Sequence, residues 1–177
     1  MSTITTYTGH NIDPFCAEAR DVDARDIAHA LSLLCRANGH FPYFYSVGQH
    51  CLNCAAEAAA RGYSRRVQLA CLLHDASEAY MADIPRPIKG HLPEYREAEG
   101  RLLEVIYGKW LTPVLTAEEH VLIREVDDVL LYHELLSIMQ WRQDLPEPPL
   151  YSSPAFAFAD FAVVEEQYLS LLHELCE

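Results

Sequence analysis

Apolar residues recur at helical spacing in one segment after another, with polar punctuation between segments. Asp23 is a good N-cap, Ile27, Leu31, Leu34 and Cys35 share the face that follows it, and Ala37-Asn38-Gly39 reads as the end of a first helix. Ser46-Val47-Gly48-Gln49 has the spacing of a capping box, so a second helix runs from about Val47 toward Arg61, with Gly62 ending it and His50 in its first turn. Ser64 caps a third helix, whose apolar run Val67, Leu69, Ala70, Cys71, Leu72, Leu73 leads into His74, Asp75 and Glu78. Ile84-Pro85-Arg86-Pro87 stops it, because proline lacks an N–H and disfavours helix at the residue before it. A fourth helix opens at Leu92-Pro93, carries the stripe Tyr95, Ala98, Leu102, Val105, Ile106, and ends at Thr112-Pro113. Thr116-Ala117-Glu118-Glu119 is a second capping box, ahead of a long helix through roughly Gln140. Asp160 caps a last helix with Phe161, Val164, Tyr168, Leu171, Leu172 and Leu175 as its buried stripe.

The remainder is short. Thr3 to Thr8 is rich in β-branched and aromatic types, Gly9-His10-Asn11 looks like a turn, and Ile12 begins a second strand, which together predict a small N-terminal hairpin. His40 to Tyr45 reads as an irregular aromatic connection. Gln143 to Pro154 holds Pro146, Pro148, Pro149 and Pro154 and reads as a loop or flap. Five to seven helices with almost no strand and no repeat describe an all-α bundle, one domain over residues 1–177.

Composition narrows the partners. With 177 residues, half of them hydrophobic, the chain can build a sizeable core. Its net charge of −13 repels duplex nucleic acid and anionic membrane. No apolar run approaches the roughly eighteen residues of a membrane span. Met1-Ser2-Thr3-Ile4-Thr5 lacks the basic start and apolar stretch of a secretion signal, so a cytoplasmic protein with six reduced cysteines is expected. Cys51-x-x-Cys54 has no second pair and lies among alanines on a helix, where small buried thiols are the expected reading. An anionic small substrate would need local positive charge, which a divalent cation supplies.

The chemistry gathers around the His74-Asp75 doublet. Charged groups at the end of a buried run are either emerging into water or paired with something. His50 and an acid of the long helix are the further candidates. Asp127 has Ile123, Leu130 and Leu131 as neighbours three and four residues away, so it faces the core; Asp128 faces water and can pair with Arg124. Two imidazoles and two carboxylates, His50, His74, Asp75 and Asp127, suit one divalent ion of zinc, manganese, cobalt or ferrous iron.

The order His50, His74-Asp75, Asp127 resembles the H…HD…D signature of HD-domain metal-dependent phosphohydrolases. His74-Asp75-Ala76-Ser77-Glu78, followed by Asp83-Ile84-Pro85-Arg86-Pro87-Ile88-Lys89, closely resembles a segment of bacterial 5′-deoxynucleotidases of the YfbR-like and YfdR-like group. Ser46-Val47-Gly48-Gln49-His50 and the strand-rich N-terminus are similar to the YfdR-like form. The resemblance runs to about Glu134. It implies an HD-domain helical bundle in which His50, His74, Asp75 and Asp127 hold the metal and Glu78 and Asp83 are the catalytic acids. Glu78, four residues after His74, would share a helical face with it and take a proton from the attacking water. Arg36 and Lys89 would meet the phosphate, although Lys89 and Arg86 also read as ordinary exposed bases. Ala37 stands where the family carries tryptophan, which leaves Phe41, Tyr43 or Tyr45 as candidates for base stacking. Glu134 is expected to pair with a group near the site, and His29, His120, His133 and His173 have no role. The implied activity is release of phosphate from deoxyribonucleoside 5′-monophosphates by a homo-oligomer. The alternatives are a deoxynucleoside triphosphate hydrolase of the same fold and a non-catalytic module that binds metal or nucleotide.

Overall fold

Side-chain caps start the long helices at the expected residues. Asp23 accepts from Arg25 N–H ahead of α1 (Ala24–Leu33), and Ser46 from Gln49 N–H ahead of α2 (Val47–Ala60). Ser64 accepts from Val67 N–H ahead of α3 (Arg65–Leu73). The single-turn α4 (Glu78–Met81) and α5 (Arg86–Lys89) precede α6 (Pro93–Trp110). Thr116 and Glu119 bond reciprocally at the start of α7 (Ala117–Ile138), and Asp160 caps α8 (Phe161–Cys176). Each cap satisfies an amide that the helix itself leaves without a partner. A computed structural model, which describes residues 3–142 and 144–177, provides these elements. Met1 and Ser2, and Gln143 at the start of the predicted loop, lie outside the described residues.

Among the described residues there are six helices of nine residues or more, two of a single turn, and one antiparallel hairpin. That hairpin pairs β1 (Ile4–Thr5) with β2 (Asn11–Ile12), Ile4 opposite Ile12, around Gly9 at φ 84°. The protein is therefore all-α with a short N-terminal hairpin. None of the helices is long and apolar enough to cross a membrane.

Helix α2 is the middle of the bundle, packed against α1, α3, α7 and α8. Ile27 and Leu31 of α1, Cys51 and Ala58 of α2, Leu72 of α3, Leu130 of α7 and Tyr168 of α8 all have their side chains in the shared core. Each buried large aliphatic contributes about 1.5–3 kcal/mol relative to exposure. Gly48 permits the close approach of α2 to α1, since a Cβ there would stand 3.2 Å from the Leu31 carbonyl oxygen.

Four expectations need correction. Helix α1 stops at Leu33, not at Gly39. Cys35 pairs with Ser46 as an antiparallel bridge, with Val47 N–H donating to Leu34 O at 3.0 Å and Arg36 N–H to Tyr45 O at 2.9 Å. This pairing draws Leu34 and Cys35 out of the helix and leads into a 3-10 turn over Arg36–Gly39, where Ala37 and Asn38 sit at φ 55° and 53°. Second, α3 ends at Leu73, so His74, Asp75 and Glu78 do not share one regular helix. The His74 ring donates to Cys71 O at 2.7 Å, an acceptor that an unbroken helix gives to the Asp75 N–H. The chain then tightens into i→i+3 bonds from Ala76 to Leu73 and from Glu78 to Asp75. Third, Phe161 is exposed, because the buried stripe of α8 begins one turn later at Val164. Fourth, the proline-rich segment is not a free flap. Residues 149–157 lie as a strap on α2, where Glu57 accepts from the amides of Tyr151 and Ser152 and Gln49 donates to Ala155 O and Ala157 O.

Candidate metal centre

Two helix ends and the middle of a third helix converge on one point. His50 comes from the first turn of α2, His74 and Asp75 from the C-terminal end of α3, and Asp127 from the middle of α7. His50 Nε2 lies 3.2 Å from His74 Nε2 and 3.2 Å from Asp127 Oδ1. His74 Nε2 lies 3.2 Å from Asp75 Oδ2, and the two remaining nitrogen–oxygen pairs are 3.8 Å apart. Donors held at about 2.1 Å from one cation stand roughly 3.0–3.4 Å apart. The four predicted donors are thus brought together at nearly that spacing.

The tautomers strengthen the case. His50 Nδ1 donates to Glu134 Oε1 at 2.6 Å, and His74 Nδ1 donates to Cys71 O at 2.7 Å. With both Nδ1 positions committed, the two Nε2 atoms face each other alongside two carboxylate oxygens. A cation between them, or a proton on either Nε2 shared with a facing carboxylate, relieves that arrangement. Engagement of the distal ring nitrogen by a carboxylate or carbonyl is what metal-binding histidines show elsewhere. His50 and His74 therefore belong to a cluster able to hold a metal ion, with the carboxylates of Asp75 and Asp127 beside the imidazoles.

Two thiols also lie within reach, Cys54 beside His50 and His74, and Cys51 beside His74 and Asp75. Cys54 Sγ is 3.4 Å from His50 Nε2 and 3.9 Å from Nδ1, so it rests against the ring face and is off the lone-pair direction. Burial pushes the Cys51 thiol up to about 11 and the Cys54 thiol well above its usual value. Both are the small buried thiols expected from the sequence.

Glu134 is fully buried and pairs as anticipated with groups of the site. Its Oε2 accepts from Arg36 Nε at 2.8 Å, while its Oε1 takes Tyr45 Oη at 3.1 Å besides His50. Burial alone would raise the Glu134 carboxyl, but Arg36 and His50 hold it below the usual range. Arg36 continues past Glu134 to Asp75 Oδ2 at 3.6 Å and Asp127 Oδ1 at 3.7 Å. The left-handed turn at Ala37 and Asn38 is what delivers it there.

A cavity of about 210 Å³ opens over this floor, lined by Arg36, Ala37, Phe41, Asp75, Glu78, Asp83, Ile84, Pro85, Arg86, Pro87, Lys89, Asp127 and Leu131. Glu78 and Asp83 therefore share one space with two of the donors. Burial, then the charges of Asp75 and Asp83, push the Glu78 carboxyl well above its usual range, and its Oε2 has no partner. Burial likewise raises Asp83. Lys89 reaches the cavity wall but is already held between Glu78 Oε1 at 2.9 Å and Glu99 Oε1 at 2.6 Å. Of the three candidate aromatics, only Phe41 lines the cavity; Tyr43 Oη donates to Phe156 O, and Tyr45 is buried on Glu134.

Arg86 is the side chain whose position the sequence left undecided. It grips the Asp127 and Asp128 carboxylates at the cavity mouth. Asp128 is exposed as expected, but its partner is Arg86 and not Arg124. The contribution of Tyr45 had no sequence signal, because it depends on a carboxylate 89 residues away.

No family model matches the chain. It is 34% identical over 146 residues to the uncharacterized protein YfdR of Escherichia coli, covering 82% of this chain and 73% of that one. It is also 34% identical over 129 residues to an uncharacterized protein of Rhodobacter capsulatus, covering 69% of this chain and 65% of that one.

Proposed function

The chain belongs to the family of the Escherichia coli protein YfdR, and on that premise we propose that it is a metal-dependent phosphohydrolase of the HD-domain type, releasing phosphate from deoxyribonucleoside 5′-monophosphates. The observation that carries this reading is the meeting of His50 Nε2, His74 Nε2, Asp75 Oδ2 and Asp127 Oδ1, the two carboxylates of which line a cavity whose walls bring Arg36, Arg86 and Lys89 beside Glu78 and Asp83. Zinc, manganese, cobalt and ferrous iron all suit two nitrogens and two oxygens. A divalent ion held there supplies Lewis-acid charge to a phosphoryl oxygen and acidifies water at neutral pH.

The chain's own groups divide the remaining work. Without an ion, the cavity lining holds four carboxylates against three basic side chains. A divalent ion reverses that balance and suits the site to a phosphate dianion. Arg36 presents its two terminal nitrogens toward the floor while Glu134 fixes its Nε, leaving the fork aimed at the oxygens of an incoming phosphate. Glu78, with one oxygen on Lys89 and the other free, can receive a proton at Oε2 from the attacking water and pass it to the leaving oxygen. Asp83, in the same cavity, is the second group able to hold that proton. Phe41 offers the face on which a base can lie.

The test is phosphate release from a panel of deoxy- and ribonucleoside mono- and triphosphates, after chelation and after return of each ion. Ion-dependent release of inorganic phosphate from the monophosphates is expected. Triphosphate or pyrophosphate as the product would move the activity to the triphosphate hydrolases. Ion and nucleotide binding without turnover, unchanged in Glu78→Ala, would make the protein a binding module.

A further inference from the structure

We infer that the proline-rich strap is mechanically joined to the metal centre, so that strap docking and cation loading strengthen each other, with Asn53 and Tyr45 as the positioning residues between them. The proposal rests on the cation-site reading above but not on which ester is cut.

The connection is a continuous, directed line of hydrogen bonds. Ala155 N–H donates to Asn53 Oδ1 at 3.2 Å, which fixes the orientation of the Asn53 amide. Asn53 Nδ2 then donates to Ala155 O at 3.2 Å and to Tyr45 Oη at 2.9 Å. Tyr45 Oη, having accepted from Asn53, can only donate onward, and it does so to Glu134 Oε1 at 3.1 Å. That same oxygen receives His50 Nδ1–H at 2.6 Å. Every donor–acceptor choice between the strap backbone and the imidazole is thereby set.

Burial gives the line its leverage. Tyr45, His50 and Glu134 are fully buried and Asn53 nearly so, so no water competes for these bonds. In such surroundings a lost partner is costly and a hydrogen-bonded network acts as a unit. The strap also touches the substrate side, since Phe156 packs toward Tyr45, whose other neighbour Phe41 lines the cavity. A strap lifted from α2 would free Asn53, loosen Tyr45 and leave the Glu134 carboxylate less firmly aimed at His50. Losing an outer partner of a metal-bound histidine typically costs about 10–100-fold in affinity. By reciprocity, a cation that fixes His50 must favour the docked strap by the same factor that the docked strap favours the cation.

The experiment follows Co²⁺ binding to the full chain by its visible absorption and, in the same samples, amide hydrogen exchange at Ala155, for the native protein, Asn53→Ala and Tyr45→Phe. Co²⁺ is expected to slow exchange at Ala155 about tenfold in the native protein, and Asn53→Ala to weaken Co²⁺ binding by a similar factor. Tyr45→Phe keeps the Asn53–Ala155 bonds, so its strap docks but no longer responds to the ion. A strap indifferent to bound Co²⁺, or a Tyr45→Phe strap that still responds fully, overturns the coupling while leaving phosphate release intact. Absence of any Co²⁺ absorption overturns it together with the cation site, and is recognised by the missing spectrum itself.

Discussion

Lys89 Nζ stands 2.9 Å from Glu78 Oε1, and the other end of its contact is Glu99 at 2.6 Å. One ammonium thus satisfies two acids, one of them buried and lining the cavity. Replacing Lys89 by methionine is expected to destabilise the fold by about 3 kcal/mol, because it strands a buried carboxyl without its partner. Adding Glu78→Gln should recover part of that loss, a non-additivity that urea denaturation of the two single variants and the double variant will read. Additive losses would show that the pair is not coupled.

Glu134 fixes His50 and Arg36 with its two oxygens. Glu134→Gln is expected to weaken binding of a divalent ion by about 10–100-fold while leaving the helices formed. Isothermal titration with Mn²⁺ or Co²⁺, alongside circular dichroism, separates the two effects. His50→Ala removes a donor outright and should cost more than Glu134→Gln in the same titration.

The strap anchor at Glu57 carries a pH dependence. Burial by itself raises this carboxyl, but hydrogen bonds from Ser152 and Arg61 outweigh it and hold Glu57 below its usual value of 4.5. A carboxyl with a depressed value in the fold contributes stability that is fully present above the unfolded value and is lost as pH falls through the lowered one. The native protein should therefore exceed Glu57→Gln in denaturation midpoint near neutrality, and the gap should narrow as pH falls below 4.5. A gap that stays constant across that range would show that the carboxylate charge does not hold the strap.

Ala82 lies between Glu78 and Asp83 with φ 74° and ψ 154°, a region that residues other than glycine enter at a cost of about 1–3 kcal/mol. Tyr95 Oη stands 2.8 Å from Ala82 O and 3.0 Å from Met81 O, so its one proton holds this turn through either carbonyl. Ala82→Gly is expected to raise stability by about 1 kcal/mol after allowing for the greater freedom of glycine in the unfolded chain. A thermal melt checks it, and a lowered midpoint would mean that the turn bears no strain.

What the sequence made legible was local. The caps at Asp23, Ser46, Ser64, Thr116 and Asp160 act within three residues of themselves, and periodicity picked Asp127 over Asp128 because both faces of α7 are written in its own neighbours. The departures come from contacts that cross the chain. Nothing near Leu34 announces that Cys35 will pair with Ser46, and it is this pairing that ends α1 and turns Arg36 inward. Similarly, α3 breaks where the His74 ring takes a backbone carbonyl, a choice invisible in side-chain patterning. Glu57 and Asn53 look like the solvated face of an amphipathic helix until the strap covers them.

Two of the four donors, His74 and Asp75, hang from a single peptide unit where α3 gives way to tighter turns. Their backbone positions are therefore tied to one another. Evolution or an engineer seeking a different ion preference is thus left with His50 and Asp127 as the independently adjustable pair, on α2 and α7. On the proposed metal-binding reading the doublet would be the fixed jaw of a clamp, and the spacing of the two long helices would set how wide it opens.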